Sequence, residues 1–223
     1  MSLLPDLSGG TVVAEQLLFG EQFWWYVARS GGIVALALTG MSVIWGLLYS
    51  TKLLQGRPTP KWTLDLHRFL GGAAVTFTAI HVAALVLDSY VHFGWAEILI
   101  PFASEWKPGA VAWGIVTTYL LLAVQITSML MKRIPRRWWK LVHFSSYGLF
   151  WTGLIHGITA GTDAANPLYV GASALAVVTV LWMTVYRILT QRKLRSAGER
   201  RPVPAPRHAI PEAADAAPTL VKT

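Results

Sequence analysis

Four of the six histidines, His67, His81, His143 and His156, fall within or at the ends of apolar stretches long enough to cross a membrane. An ionisable ring in hydrocarbon is costly and by default marks a function. Neutral imidazole is also a nitrogen ligand for transition metals. His67 and His81 are 14 residues apart, about 21 Å of helix and some 40° short of four full turns, so they share a face. His143 and His156 are 13 apart, roughly 20 Å of helix. Cysteine is absent, which removes disulfides, thiolate metal sites, iron–sulfur clusters and catalytic thiols together. Any metal is left with nitrogen or oxygen.

The elements that must position these rings are set by composition. Of 223 residues, 54% are hydrophobic and 13% charged, with eleven tryptophans, which excludes an ordinary soluble domain. Apolar stretches recur at Gly31–Leu48, Phe69–Leu87, Ala110–Met131, Leu141–Ile158 and Leu168–Ile188, each about the length a helix needs to span roughly 30 Å of hydrocarbon. The expected fold is all-α, an integral membrane bundle of five transmembrane helices, or six if residues 11–24 also cross. That segment, "TVVAEQLLFGEQFW", is broken by Glu and Gln and better suits a helix lying at the interface. No basic residue precedes Arg29, so the first apolar stretch is expected to be a retained helix, not a cleaved signal. Residues 1–24 then form an external or interfacial leader, residues 25–190 the transmembrane domain, and residues 191–223 a Pro- and Ala-rich disordered tail.

The net charge of +8 is no sign of nucleic-acid binding, because the basic residues follow the membrane topology. The loop after the first stretch holds Lys52, Arg57 and Lys61, with Arg68 just beyond. The loop after the third holds Lys132, Arg133, Arg136, Arg137 and Lys140, and eight more follow from Arg187 onward. Seventeen of the 19 Lys and Arg thus fall on one side, leaving Arg29 and Lys107 for the other. The positive-inside rule makes that side cytoplasmic, with the amino terminus outside and the carboxyl terminus inside a multi-pass plasma-membrane protein.

The second and fourth stretches run the same way through the bilayer, so His67 is level with His143 and His81 with His156. Two facing imidazoles with no carboxylate cluster suit the two axial positions of a planar cofactor better than a tetrahedral zinc site. Two bis-histidine b-type haems, stacked about 20 Å apart, are the expected cofactors, and together they form a path for electrons. The 13-residue step strains this picture, because on an ideal helix it leaves His143 and His156 roughly 140° apart. Either the helix is irregular near Gly148 or Gly153, or each haem meets a different side of it. A haem-free metal or proton transporter using the same histidines is the alternative from a different class. It would normally bring Met motifs or intramembrane carboxylates, whereas Asp65 and Asp88 sit only at helix ends.

The 14 and 13 spacings, with "LHRFLGGAAVTFTAIHVAALVLDSY" and "RRWWKLVHFSSYGLFWTGLIHGITAGTD", resemble the ferric reductase-like transmembrane domain shared by NADPH oxidases, iron reductases and related bacterial haem proteins. The two stretches look like bacterial, especially actinobacterial, members. The resemblance covers roughly Trp25 to Ile188. It implies an inner haem on His67 and His143 and an outer haem on His81 and His156. "ARSGG", Ala28 to Gly32, is similar to a family motif at the outer end of a helix, which implies that Arg29 pairs with an outer propionate. Arg68 and Lys140 are similarly placed for the inner propionates, and Phe150 and Trp151 fall midway between the two haems.

Iron reductases and NADPH oxidases continue into a flavin and nicotinamide domain. This chain runs only about thirty residues past its last apolar stretch and has no GxGxxG following a strand. A flavin or quinone is therefore expected on a separate partner: a cytoplasmic flavoprotein or quinol as donor, and ferric chelate, oxygen or an external redox protein as acceptor. The haem subunit of the bacterial periplasmic methionine-sulfoxide reductase is a further relative of similar length, in which arginine replaces the histidine corresponding to His67. Retention of His67 favours the two-haem branch, with the reductase subunit as the alternative.

Overall fold

The computed structural model describes residues 22–51, 61–88, 91 and 93–199, and these fold into helices joined by turns with no strand among them. The leader at residues 1–21, the tail from residue 200, and Lys52, Arg57, His92 and His208 lie outside the described residues. In chain order the helices are α1 (Phe23–Thr51), α2 (Lys61–Leu87), the short α3 (Trp95–Leu99), α4 (Pro108–Met129), α5 (Arg136–Phe144), α6 (Ser146–Ala160) and α7 (Pro167–Glu199).

Four of these, α1, α2, α4 and α7 up to Arg192, are long and apolar enough to cross a membrane. Their starts carry ordinary stop and start chemistry. Pro108 opens α4 directly after Lys107, which takes a left-handed backbone at φ 42° and breaks the preceding chain. Asn166 accepts the Leu168 backbone N–H at 2.9 Å ahead of α7, with Pro167 supplying the preset φ of a first helical residue. Large apolar side chains remain on the outer faces, among them Leu168 at 82% and Met129 at 75% exposure. Such faces are stable only against hydrocarbon, so this is a multi-pass membrane protein.

The fourth apolar stretch, expected from sequence as one spanning helix over Leu141–Ile158, is instead built as two shorter helices, α5 of nine residues and α6 of fifteen, and neither is among the four long enough to cross alone. At Ser145 the backbone N–H bonds to the Val142 carbonyl at 3.0 Å, three residues back, and the Ser145 hydroxyl donates to the same carbonyl at 2.6 Å. The α ladder resumes with Leu149 N–H to the Ser145 carbonyl at 2.9 Å. A turn of this kind winds further per residue than an α-helix. His143 on α5 and His156 on α6 therefore stand on two helices, and the 13-residue step need not obey the geometry of one regular helix. Gly148 and Gly153, the positions suspected from sequence, are regular α6 residues; Gly153 instead admits Thr117 and Leu36 to close packing.

The bundle is arranged around a gap. α1 packs along α2 and more lightly on α6 and α7, while α4 packs along α6. The two histidine-bearing elements, α2 on one side and α5–α6 on the other, have no substantial backbone contact with each other. α1 and α4 close the flanks and hold them apart. The core is correspondingly divided. Phe150, Val43, Leu47, Val180 and Met183 pack where α6 meets α1 and α7, whereas Ala74, Leu121 and Leu149 form a separate aliphatic cluster.

Candidate metal centre

The gap between α2 and α5–α6 is where the four histidines meet. His67 faces His143 with ring centroids 6.0 Å apart and planes inclined at 75°. His81 faces His156 at 6.2 Å, also at 75°. Two imidazoles bound at about 2 Å on opposite sides of one metal ion have ring centroids about 6 Å apart. Both pairs have that separation. All four histidines are only half-buried, and His81 and His156 line a common cavity.

The backbone around the rings selects which nitrogen is available. His67 Nδ1 donates to the Ser42 carbonyl at 3.0 Å, His81 Nδ1 to the Ala28 carbonyl at 2.6 Å, and His156 Nδ1 to the Ala110 carbonyl at 2.8 Å. A carbonyl only accepts, so Nδ1 must carry the proton and Nε2 keeps its lone pair. This is the outer support that metal-binding histidines ordinarily have. A helical carbonyl is already bonded to the N–H four residues on, and its second lone pair is normally screened by the side chain there. Here that residue is glycine each time: Gly46 after Ser42, Gly32 after Ala28, Gly114 after Ala110. A Cβ at these positions would lie 3.2 Å from His67, 3.0 Å from His81 and 2.7 Å from His156. The glycines are the contact surfaces on which the rings rest.

These features fit a planar cofactor with two axial ligands. The donor set is two nitrogens per site, each fixed in the ligating tautomer or facing a hydroxyl. Among the described residues no three His, Asp or Glu cluster to make a metal cage. Ala74, seven residues from both His67 and His81, and Leu149, six and seven from His143 and His156, belong to the aliphatic cluster between the two pairs. Phe150 is turned instead into the α1–α7 packing with Trp151 beside it, so the residue lining the cavity at this depth is Leu149.

The His81–His156 pair opens into a cavity of about 260 Å³, also lined by Arg29, Asp163 and Tyr169. Arg29 reaches this cavity, as its position in the sequence implies, but its Nε and one Nη are taken by the two Asp163 oxygens. Its guanidinium also lies over Trp25, 5.0 Å from the ring centroid. Asp163, in the turn between α6 and α7, was not foreseen. The available signal was an acidic residue just beyond the fourth apolar stretch, at the same membrane face as the isolated cation Arg29. Of the other two cations, Arg68 is exposed and loosely paired with Asp65 at 3.6 Å, and Lys140 is exposed.

Hydrogen bonding to Arg29 holds the Asp163 carboxyl below the usual carboxylate range. A depressed folded pKa contributes stability that is present above the unfolded value, about 4, and is lost as pH falls through the folded one. Asp163→Asn is therefore expected to melt at a lower temperature than the wild type near neutrality. The two melting curves should converge on acidification below about pH 4. A gap that stayed constant down to low pH would show that the pair contributes nothing.

The family model described as ferric reductase like transmembrane component matches residues 31–154. No curated protein and no solved structure matches the chain. The matched segment contains His67, His81 and His143 and stops two residues before His156, which geometry alone brings to its partner. Domains of this family are membrane-embedded, redox-active and generally haem-binding. With more than half of its residues matched, this chain belongs to the ferric reductase-like transmembrane family.

Proposed function

We propose that the protein carries single electrons across the membrane through two b-type haems, one held by His67 and His143 and the other by His81 and His156. The observation that carries this is the recurrence of one geometry twice: facing imidazoles about 6 Å apart on two helices that otherwise avoid each other. A bound haem supplies reversible one-electron iron chemistry.

The residues of the chain do the rest. The carbonyls of Ser42, Ala28 and Ala110 hold three rings in the ligating tautomer and orientation. Ala74, Leu121 and Leu149 fill the space between the two pairs with aliphatic groups, which excludes water from the middle of the bilayer. Arg29, paired with Asp163, puts a guanidinium at the rim of the His81–His156 site, where a propionate could take up its remaining donors.

The proposed direction rests on charge asymmetry. Counted along the sequence, 17 of the 19 Lys and Arg fall in the loops and tail on the side of His67 and His143, which the positive-inside rule makes cytoplasmic. The donor, a flavoprotein or quinol, would reach the His67–His143 site. The acceptor, a ferric chelate, oxygen or an external redox protein, would meet the His81–His156 site. Arg68 and Lys140 are exposed at the donor end and suit docking of an acidic partner better than contact with the inner haem.

Proteoliposomes test this directly. With a reductant trapped inside and ferric citrate outside, the external iron should be reduced only when the protein is present. His67→Ala and His156→Ala should each abolish the signal. Reduction at the same rate in protein-free vesicles, or in both variants, would overturn the proposal.

A further inference from the structure

His143 is held unlike the other three histidines. On α1 the supporting glycines, Gly32 and Gly46, are 14 residues apart, in step with His81 and His67. On α4 the position 14 residues beyond Gly114 is Ser128. Val124, whose carbonyl would be the fourth support, makes no bond to His143; the Thr127 hydroxyl donates to the Ala123 carbonyl at 2.7 Å, with the Val124 carbonyl a more distant 3.2 Å away. His143 Nδ1 is left with the Ser128 hydroxyl at 3.4 Å, a longer contact than the 2.6–3.0 Å of the carbonyl bonds. A hydroxyl rotates and can donate or accept, so it fixes neither tautomer nor ring orientation.

The backbone beneath His143 is also the least anchored of the four. His143 stands at the end of the nine-residue α5, and the tightened turn at Ser145 separates it from α6. Trp139, stacked on the ring at 5.1 Å and 23°, belongs to the same short helix and moves with it. The other three rings sit within long helices or against a glycine surface.

From these two independent features we infer that His143 is the releasable ligand of the four. Its pair, and not the His81–His156 pair, is then the site that admits a small neutral diatomic ligand such as carbon monoxide or dioxygen. The inference rests on the two-haem reading above. Release breaks one nitrogen–iron bond and the incoming ligand forms one, with no transfer of electrons or protons.

The test is a carbon monoxide titration of the dithionite-reduced full chain, followed in the visible spectrum. One of the two haems should form the adduct. Ser128→Gly, which opens the Val124 carbonyl to His143, should weaken carbon monoxide binding at least about tenfold, the usual scale for an outer partner of a metal ligand. Ser128→Ala removes the hydroxyl without freeing a carbonyl and should strengthen binding by a similar factor. If Ser128→Gly does not retain haem, the comparison of Ser128→Ala with the wild type decides. Adduct formation by neither haem or by both, or unchanged affinity in a variant that keeps both haems, overturns the claim. A wild-type chain that takes up no haem sinks the two-haem reading itself, whereas two haems indifferent to carbon monoxide sink only the role of His143.

Discussion

Replacing His81 by alanine is expected to halve the haem content of the purified protein. On the two-haem reading His81 would supply one nitrogen to its site, and its Nδ1–H bond to the Ala28 carbonyl is one of the bonds between α2 and α1. Without the ring, His156 is left facing an empty side of the gap. Loss of an outer partner alone typically costs 10–100-fold in metal affinity, and loss of a ligand costs more. The His67–His143 site lies 14 residues, about 21 Å, away along α2 and should keep its haem and its spectrum. The aliphatic cluster between the pairs shares no residue with either ring, so the two losses should be separable. Haem content per chain by pyridine haemochrome, with helix content checked by circular dichroism, reads this result. Unchanged haem in a folded His81→Ala chain would mean the pairing is wrong.

The second large effect is expected at Gly114. A Cβ there would stand 2.7 Å from His156 Cε1 and 2.8 Å from Nδ1, closer than real side chains approach. The ring must move, and the bond to the Ala110 carbonyl goes with it. Gly114→Ala should therefore lower occupancy of the His81–His156 site by 10–100-fold in haem affinity, as for loss of an outer partner, and leave the other site intact. Gly32→Ala, at 3.0 Å, should act on the same site more mildly. The internal control is Gly72→Ala on α2. Nothing lies within 4 Å of its added methyl, and alanine is the better helix former. If Gly72→Ala and Gly114→Ala lose haem equally, general destabilisation of the bundle, and not displacement of His156, is responsible.

Much of the site was legible because depth in a membrane follows from counting. Two apolar stretches of known direction, each with a histidine near both ends, fix which ring is level with which, and the structure brings those same rings together. Rotation about the helix axis was less legible. The 13-residue step signalled that something must give, but the break falls at Ser145, where a hydroxyl competes for a backbone carbonyl, and not at a glycine. The supporting carbonyls were in plain view as "ARSGG", "SVIWG" and "AVAWG", each a small residue with glycine four positions later. That pattern also reads as ordinary close packing of membrane helices. Only knowledge of which ring lies against which helix turns it into a ligand support. The same limit applies to Phe150, whose position in sequence does not give its azimuth: it packs into the α1–α7 cluster, while Leu149 lines the cavity. Arg29 is expected from the family resemblance to pair with an outer propionate; in the structure its ion pair is with Asp163, a carboxylate of the chain itself.

The central claim, two bis-histidine haems in one chain, is tested most directly by the haem-to-protein ratio together with the dithionite-reduced minus oxidised spectrum of the detergent-purified wild type. Two haems per chain with narrow low-spin bands are expected. One haem per chain, or none after expression with an ample haem supply, would contradict it.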